Sequence, residues 1–196
     1  RIGRDIPLED VLASHDATFI ASGAHGRRKL GLDNEDALGV LSALDFLKNM
    51  NTGKEVALGK KVFVVGGGNV AMDTAITARR LGVAEVHIVA LEKWDDMPAH
   101  RWEIDQAIEE DIVFHNAWGP MRILADKGRL TGMELARCTR VFNADGAFDP
   151  VYDTSTTVTF DMDTLILVIY ETIDTAYLAE SDTIERHGDG RVRVDP

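Results

Sequence analysis

Apolar residues along this chain fall into two patterns, and the change from one to the other divides it. Lys61-Val62-Phe63-Val64-Val65 is an unbroken apolar run behind a lysine, the pattern of a parallel strand covered on both faces. Apolar positions at helical spacing follow from Asn69 to Leu81, closed by Gly82. Glu85 to Leu91 predicts a second strand, Glu103 to Glu110 a helix and Ile112 to His115 a third, short strand. Strand–helix–strand–helix–strand at this spacing predicts a doubly wound α/β unit. Upstream, Asp5 to Leu12 predicts a short helix, with Pro7 in its first turn, and Ala17 to Ala21 a buried strand stopped at Ser22-Gly23. Gly26 to Glu35 predicts a loop, and Leu38, Leu41, Leu44, Phe46 and Leu47 predict a helix over Ala37 to Met50. After Gly119 the period shortens to two. Met121 to Leu124, Leu130 to Phe142 and Thr156 to Phe160 predict an antiparallel meander with a turn at Asn143-Ala144-Asp145-Gly146. Leu165 to Tyr170 predicts a last strand, again unbroken and buried.

The strand–helix junction carries the chemistry. Gly66-Gly67-Gly68-Asn69-Val70-Ala71 matches G-x-G-x-x-A, with Gly66, Gly68 and Ala71 in the three small-residue positions. Gly66 permits the tight turn, Gly68 lets a pyrophosphate approach the backbone, and Ala71 lets the helix pack close to the sheet. Free N–H groups near Asn69 and Val70 then face the phosphates, helped by the helix dipole. A glycine pattern alone is also what any tight strand–helix turn requires. The buried strand before it, the helix after it and the second strand beyond favour a dinucleotide site. That second strand ends at Glu92-Lys93, about 20 residues past the loop, where an acidic residue accepts hydrogen bonds from the adenosine ribose. Glu92 therefore predicts NAD(H) over NADP(H), whose 2′-phosphate it would repel, while Lys93 leaves NADP(H) open.

Composition narrows the partners. The formal net charge is -12, which argues against nucleic acid. Apolar residues make up 45% of the 196, enough for a sizeable core, yet no apolar run is long enough to span a bilayer. With one cysteine, Cys138, neither an intramolecular disulfide, a CxxC pair nor a four-cysteine cluster can form; a reducing cytoplasm fits that count, and an inert core thiol is the default for Cys138 itself. Ser14-His15-Asp16 has triad residue types, but sequence neighbours point apart. His100 and Glu103, near Asp95 and Asp96, are a sparse set for a metal, so no metal site is expected. Trp94 is the candidate for stacking on an adenine; Trp102 and Trp118 are expected to pack.

Gly66-Gly67-Gly68-Asn69-Val70-Ala71-Met72-Asp73 resembles the NAD(P)H loop of the glutamate synthase small-subunit family, which includes the related domain of dihydropyrimidine dehydrogenase. Asp16 to Ala24, Gly39-Val40 with Ala43 to Leu47, Met97-Pro98-Ala99 and Val141 to Pro150 resemble further segments of that family, so that the likeness covers nearly the whole chain. It implies a Rossmann-like, three-layer NAD(P)H-binding domain with a β-meander insertion, itself inserted between remnants of an FAD domain. The implied division is 1–25 (FAD-domain strand and linker), 26–171 (NAD(P)H domain) and 172–196 (return toward the FAD domain). Gly66, Gly68, Asn69 and Val70 would hold the pyrophosphate, and Glu92 would lie by the ribose. Electrons would pass from NAD(P)H to FAD and on to an iron–sulfur centre or larger catalytic subunit. The chain departs from the family pattern in three ways. Leu91-Glu92 stand where many members have two arginines that grip the 2′-phosphate. Val168-Ile169-Tyr170-Glu171 replaces the usual Ala-Ile-Gly-Gln. The family's first FAD loop, closing Gly-Asp motif and cysteine-rich domain have no counterpart here. The chain is therefore expected to bind nucleotide without turnover and without flavin, with no catalytic residue of its own. The alternative is a non-catalytic NAD(P)-sensing or interaction module.

Overall fold

A computed structural model describes residues 2–23, 29–169, 175–178, 184–188 and 191–194. The chain forms two compact units, one of residues 29–169 and one of residues 1–28 with 170–196. The expected loop's residues 26–28, the strand end at Tyr170, and much of the expected return segment lie outside the described residues.

In the larger unit five parallel strands form one sheet in the order β1-β8-β2-β3-β4. They are β1 (Val40–Ser42), β2 (Lys61–Val65), β3 (Glu85–Ala90), β4 (Val113–Asn116) and β8 (Thr164–Leu167). Helices α2 (Ala43–Asn51), α3 (Asn69–Arg80) and α4 (Arg101–Glu109) supply the first layer. Strands β5 (Trp118–Asp126), β6 (Arg129–Phe142) and β7 (Phe148–Asp161) form a separate antiparallel sheet. Alternation along β2 divides the core. Val62 and Val64 face the helices with Phe46, Met72, Ile76 and Ile104. Phe63 and Val65 face the meander with Met133, Leu135 and Leu165. Val62, Phe63 and Val64 are 0% exposed, and burying each contributes about 1.5–3 kcal/mol.

Three expectations need correction. The three layers are present, but in the described unit helices cover only one face of the parallel sheet and the meander covers the other, so the unit is not wound on both faces by helices. Ala37 to Met50 is not one helix: Val40–Ser42 pairs with β8 as the edge strand, and α2 begins at Ala43. The apolar spacing there serves two elements in turn, and Leu38, assigned to the helix stripe, is 62% exposed. Ala17 to Ala21 is extended but belongs to no strand, and Phe19 is 93% exposed. A strand exists only through its neighbours, and no described strand pairs with this segment. In the smaller unit α1 (Leu8–Ser14) forms behind Pro7 close to the expected place. There Ser14 Oγ donates to Asp10 O and meets His15 Nδ1, all at an exposed helix end.

Two histidines that the sequence did not single out lie between the two sheets. His87 on β3 stacks on Phe63 with ring centroids 4.3 Å apart, and His115 on β4 lies 4.6 Å from Phe160 of β7. His87 Nδ1 and His115 Nε2 are 3.1 Å apart and share one proton as a hydrogen bond. His87 Nε2 is buried without a partner, since Glu85 at 3.7 Å is too far for a hydrogen bond. Burial holds both imidazoles below the ordinary 6.5; the charge of Lys61 adds to this, and Glu85 opposes it at His87. For a base held neutral in the fold, the unfolded chain takes up protons first as the pH falls. The pair's stabilisation is therefore complete above pH 6.5 and is lost as the pH falls through the folded values. Thermal unfolding should show the melting temperature falling as the pH drops below 6.5. His115→Phe should flatten that limb. The carboxylates Asp153 and Asp161, held below the ordinary 3.8, lose their protection only at more acid pH. An unchanged limb in His115→Phe would assign the effect elsewhere.

Candidate functional site

The strand order reverses at β2, whose neighbours are β3 on one side and β8 on the other. In open α/β sheets the crevice at such a reversal is where ligands sit. The loop Gly66-Gly67-Gly68 lies at this point, between the end of β2 and the start of α3.

Its three glycines answer to three different neighbours. Gly66 has φ +152, and a Cβ there would lie 2.9 Å from Val168 Cβ and 3.3 Å from Ala71 Cβ. Gly67 has ordinary space on no side: a Cβ would come within 2.6 Å of Glu92 Oε2 and 3.3 Å of Ala90 Cβ. At Gly68 a Cβ would meet nothing within 4 Å. Gly66 and Gly67 thus make room for the protein itself, while Gly68 leaves open a face that no described residue fills. Gly68 is also the N-cap of α3. Its carbonyl accepts from Ala71 and Met72, so the N–H groups of Asn69 and Val70 have no acceptor within the helix. The first turn of α3 holds no acidic residue, so no carboxylate there offsets the positive end beside the loop, and Arg79 and Arg80 in the last turn suit the negative end. Val70 is 46% exposed although apolar, on the same turn, whereas Ala71 is 0% exposed and lets the helix sit against the loop.

Residues 91–100, which connect β3 to α4, form a strap over this loop. At one end the Glu92 carboxylate lies against Gly67. Its own carbonyl accepts from Ala117 N–H at 2.8 Å and from Asn116 Nδ2 at 3.3 Å, which pins the strap to the end of β4. At the other end Ala99 N–H donates to Gly67 O at 3.2 Å, and His100 N–H donates to Asn69 Oδ1 at 3.0 Å. Sequence reasoning gave Met97-Pro98-Ala99 no role; these two bonds supply one. Burial holds the Glu92 carboxyl above its ordinary range, and the neighbouring charge of Asp96 adds to that. Lys93 is exposed beside it.

Several other sequence candidates have neighbours of their own. Trp94 is not free to stack on a ligand: Phe114 meets it edge-on at 5.2 Å, and the Arg101 guanidinium lies 5.5 Å from its ring centroid. Trp102, expected to pack, is 64% exposed and stacks on His100. Trp118 does pack, with Arg137 over its ring. Cys138 is buried, its thiol pushed up chiefly by burial, as an inert core thiol should be. Among the described residues no three His, Cys, Asp or Glu side chains are grouped to hold a metal, and no helix is long and apolar enough to cross a membrane.

Comparison with known proteins gives the chain a family. The chain is 34% identical to the NADP(+)-dependent formate dehydrogenase subunit beta of Moorella thermoacetica, over 100% of this chain and 28% of that protein. It is 35% identical to the glutamate synthase [NADPH] small chain of Escherichia coli, over 69% of this chain and 31% of that protein. It spans under a third of the length of either relative. The fold matches that of Mycobacterium tuberculosis FprA in complex with NADPH, with a TM-score of 0.73 at 18% identity, over 88% of this chain and 53% of that one. The model of the pyridine nucleotide-disulphide oxidoreductase family matches residues 9–196, and the chain therefore belongs to that family of FAD- and NAD(P)-binding oxidoreductases.

Proposed function

We propose that residues 66–71 bind the pyrophosphate of a nicotinamide dinucleotide, and that this chain is the nucleotide-binding part of a larger oxidoreductase. The observation that carries this reading is the open face at Gly68, set at a helix N-terminus whose first N–H groups have no acceptor within the helix, at the sheet's reversal point. The roles follow from the contacts. Gly66 and Ala71 set the loop's closeness to the helix, Gly67 admits the strap, and Gly68, Asn69 and Val70 face the phosphates. A bound nicotinamide supplies a hydride, which a flavin accepts in the whole protein; the chain's residues bind and orient. The named relatives are enzyme subunits, which supports the rest of a flavin domain and an iron–sulfur or larger catalytic subunit as partners.

The adenosine ribose lies by Glu92, and the chain prefers NADH to NADPH. Two relatives carry NADP or NADPH in their names, and the solved neighbour holds NADPH. This chain places a carboxylate against Gly67, flanked by one exposed lysine, Lys93. A 2′-phosphate there would face that carboxylate.

Gly68→Val tests the loop. Its backbone has φ -94 and the added side chain enters open space, so stability should change by no more than about 1 kcal/mol. Dinucleotide affinity should fall at least about 100-fold, because charge-assisted contacts contribute about 1.5–3 kcal/mol each. Unchanged affinity by calorimetry would remove the assignment.

Parallel titrations with NADH and NADPH test the preference. Wild-type protein should bind NADH more tightly, and Glu92→Arg should narrow or reverse the difference by about tenfold or more. Tighter NADPH binding by wild type, unmoved by the substitution, would make Glu92 a scaffold residue only.

The chain has one Gly-x-Gly loop of this kind, and a flavin pyrophosphate requires its own. The chain purified alone should therefore show no visible flavin absorption and no NADH-driven dye reduction. Stoichiometric flavin bands bleached by NADH would overturn that.

A further inference from the structure

Glu92 is held where a carboxylate does not sit unaided. Burial holds its carboxyl above the ordinary range and the charge of Asp96 adds to that, so a free side chain would turn out to water. Its backbone is anchored from one side. Ala117 N–H and Asn116 Nδ2 both donate to its carbonyl, and Ala117 O accepts from Cys138 N–H of β6 at 2.9 Å. Ala117 is 2% exposed with φ 57, a left-handed backbone that an alanine adopts only when its surroundings hold it there. The other side is held by packing. Leu91 follows β3 with the parity of Val89, which faces the meander. Gly119 on β5 is buried and has ordinary strand backbone, so its missing side chain answers to neighbours rather than to conformation. A Cβ there would run into Tyr152 Cε1, and would lie 3.0 Å from Tyr152 Cζ and 2.6 Å from Leu91 Cδ2. The Tyr152 ring, reaching across from β7, thus meets Leu91 at Gly119, one residue before Glu92. Tyr152 also stands opposite Cys138 in the register of β6 and β7, and Cys138 is the residue that bonds Ala117.

We infer that Tyr152 is a positioning residue for nucleotide discrimination: its ring, braced on Leu91 across Gly119, keeps Glu92 turned toward Gly67 and the adenosine ribose. This rests on the reading that Glu92 lies by that ribose. The chemistry makes placement matter. A carboxylate tells a ribose hydroxyl from a 2′-phosphate at short range, because its bond to the hydroxyl needs about 2.5–2.7 Å and its repulsion of the phosphate weakens with distance and with salt. The bonds from Ala117 and Asn116 both go to the Glu92 carbonyl, so they fix the backbone and leave the direction of the side chain to packing. The meander thereby acts on the site through Leu91.

The ratio of NADH to NADPH affinity is the readout, because a general loss of stability weakens both nucleotides together and leaves their ratio alone. Tyr152→Phe keeps the ring and should keep the wild-type ratio. Tyr152→Ala removes the ring, and the preference for NADH should narrow by about fivefold or more. Gly119→Ala puts a methyl group between the ring and Leu91 and should narrow it as well with the ring still present, so the test does not depend on one variant folding. In a Glu92→Gln background, Tyr152→Ala should leave the ratio within about twofold, since no carboxylate remains to be placed. A residue that only packs would give Tyr152→Ala a lower melting temperature and the wild-type ratio, and that result would overturn the inference. Narrowing that persists in full in the Glu92→Gln background would do the same. Glu92→Arg run alongside keeps the two readings apart. If it shifts the ratio while Tyr152→Ala and Gly119→Ala do not, only the inference about Tyr152 falls. If Glu92→Arg leaves the ratio unmoved, the ribose assignment of Glu92 fails and the inference falls with it.

Discussion

The end of β2 cannot move, and the loop that follows is shaped by that immobility. β2 is paired along its length with β3 and β8, and Val62, Phe63 and Val64 are sealed between the helices and the meander. Shifting the strand would uncover apolar surface on both faces at once, at about 25 cal/mol for each Å² exposed. The chain must therefore leave β2 at a fixed point, and there it meets fixed neighbours: Val168 just past β8, and Ala90 with Glu92 at the end of β3. Backbone without side chains is the only thing that passes between them. Gly66 and Gly67 are consequences of the buried sheet as much as of any ligand. Gly68, one residue further on, has passed the crowding, and a side chain there would meet no described residue.

Charge is arranged locally against the global balance. A chain carrying -12 does not attract a pyrophosphate by its overall field. What it offers instead is the amino end of α3, free of acidic residues in its first turn. The other end of that helix is tied down by Arg79, which donates to the carbonyls of Val83, Ala84 and Glu110, so the dipole is held in a constant direction. Glu92 stands out against this background. Half-burying a carboxylate beside Asp96 costs stability, as its upward shift records. Groups kept in such positions are common where a ligand is recognised, and a ribose hydroxyl is a donor suited to one.

The glycine loop, β2, α3 and β3 were legible because each has a local signature: an unbroken apolar run, a small-residue pattern, a closing glycine at Gly82. What could not be read has no local signature. β1 is three residues long and owes its existence to β8, far away in sequence. Ala17 to Ala21 has strand-like composition with no described partner, so composition alone misleads. Trp94 looks like a stacking residue until Phe114 and Arg101 are seen to cover it. The His87–His115 pair was within reach, since both fall on the strand parity that faces the meander with Phe63 and Val89, but polar residues on buried parities are easily taken as solvated. The strap's bonds to Gly67 and to Asn69 were beyond reach, because one is entirely backbone and the other depends on a backbone N–H that every non-proline residue carries.

The strap also removes a separation that the sequence motif suggests. In the motif the phosphate loop and the acidic residue are distinct signals about 20 residues apart. Here Glu92 and the Ala99–His100 turn are two ends of one segment, and both touch the same short loop, Glu92 at Gly67 and the turn at Gly67 O and Asn69. The segment is pinned at Glu92 by bonds from Ala117 and Asn116 to its carbonyl. A bulkier side chain at residue 92 would press on Gly67 and, through it, on the bond from Ala99. Glu92 and the Ala99–His100 turn are therefore coupled through Gly67.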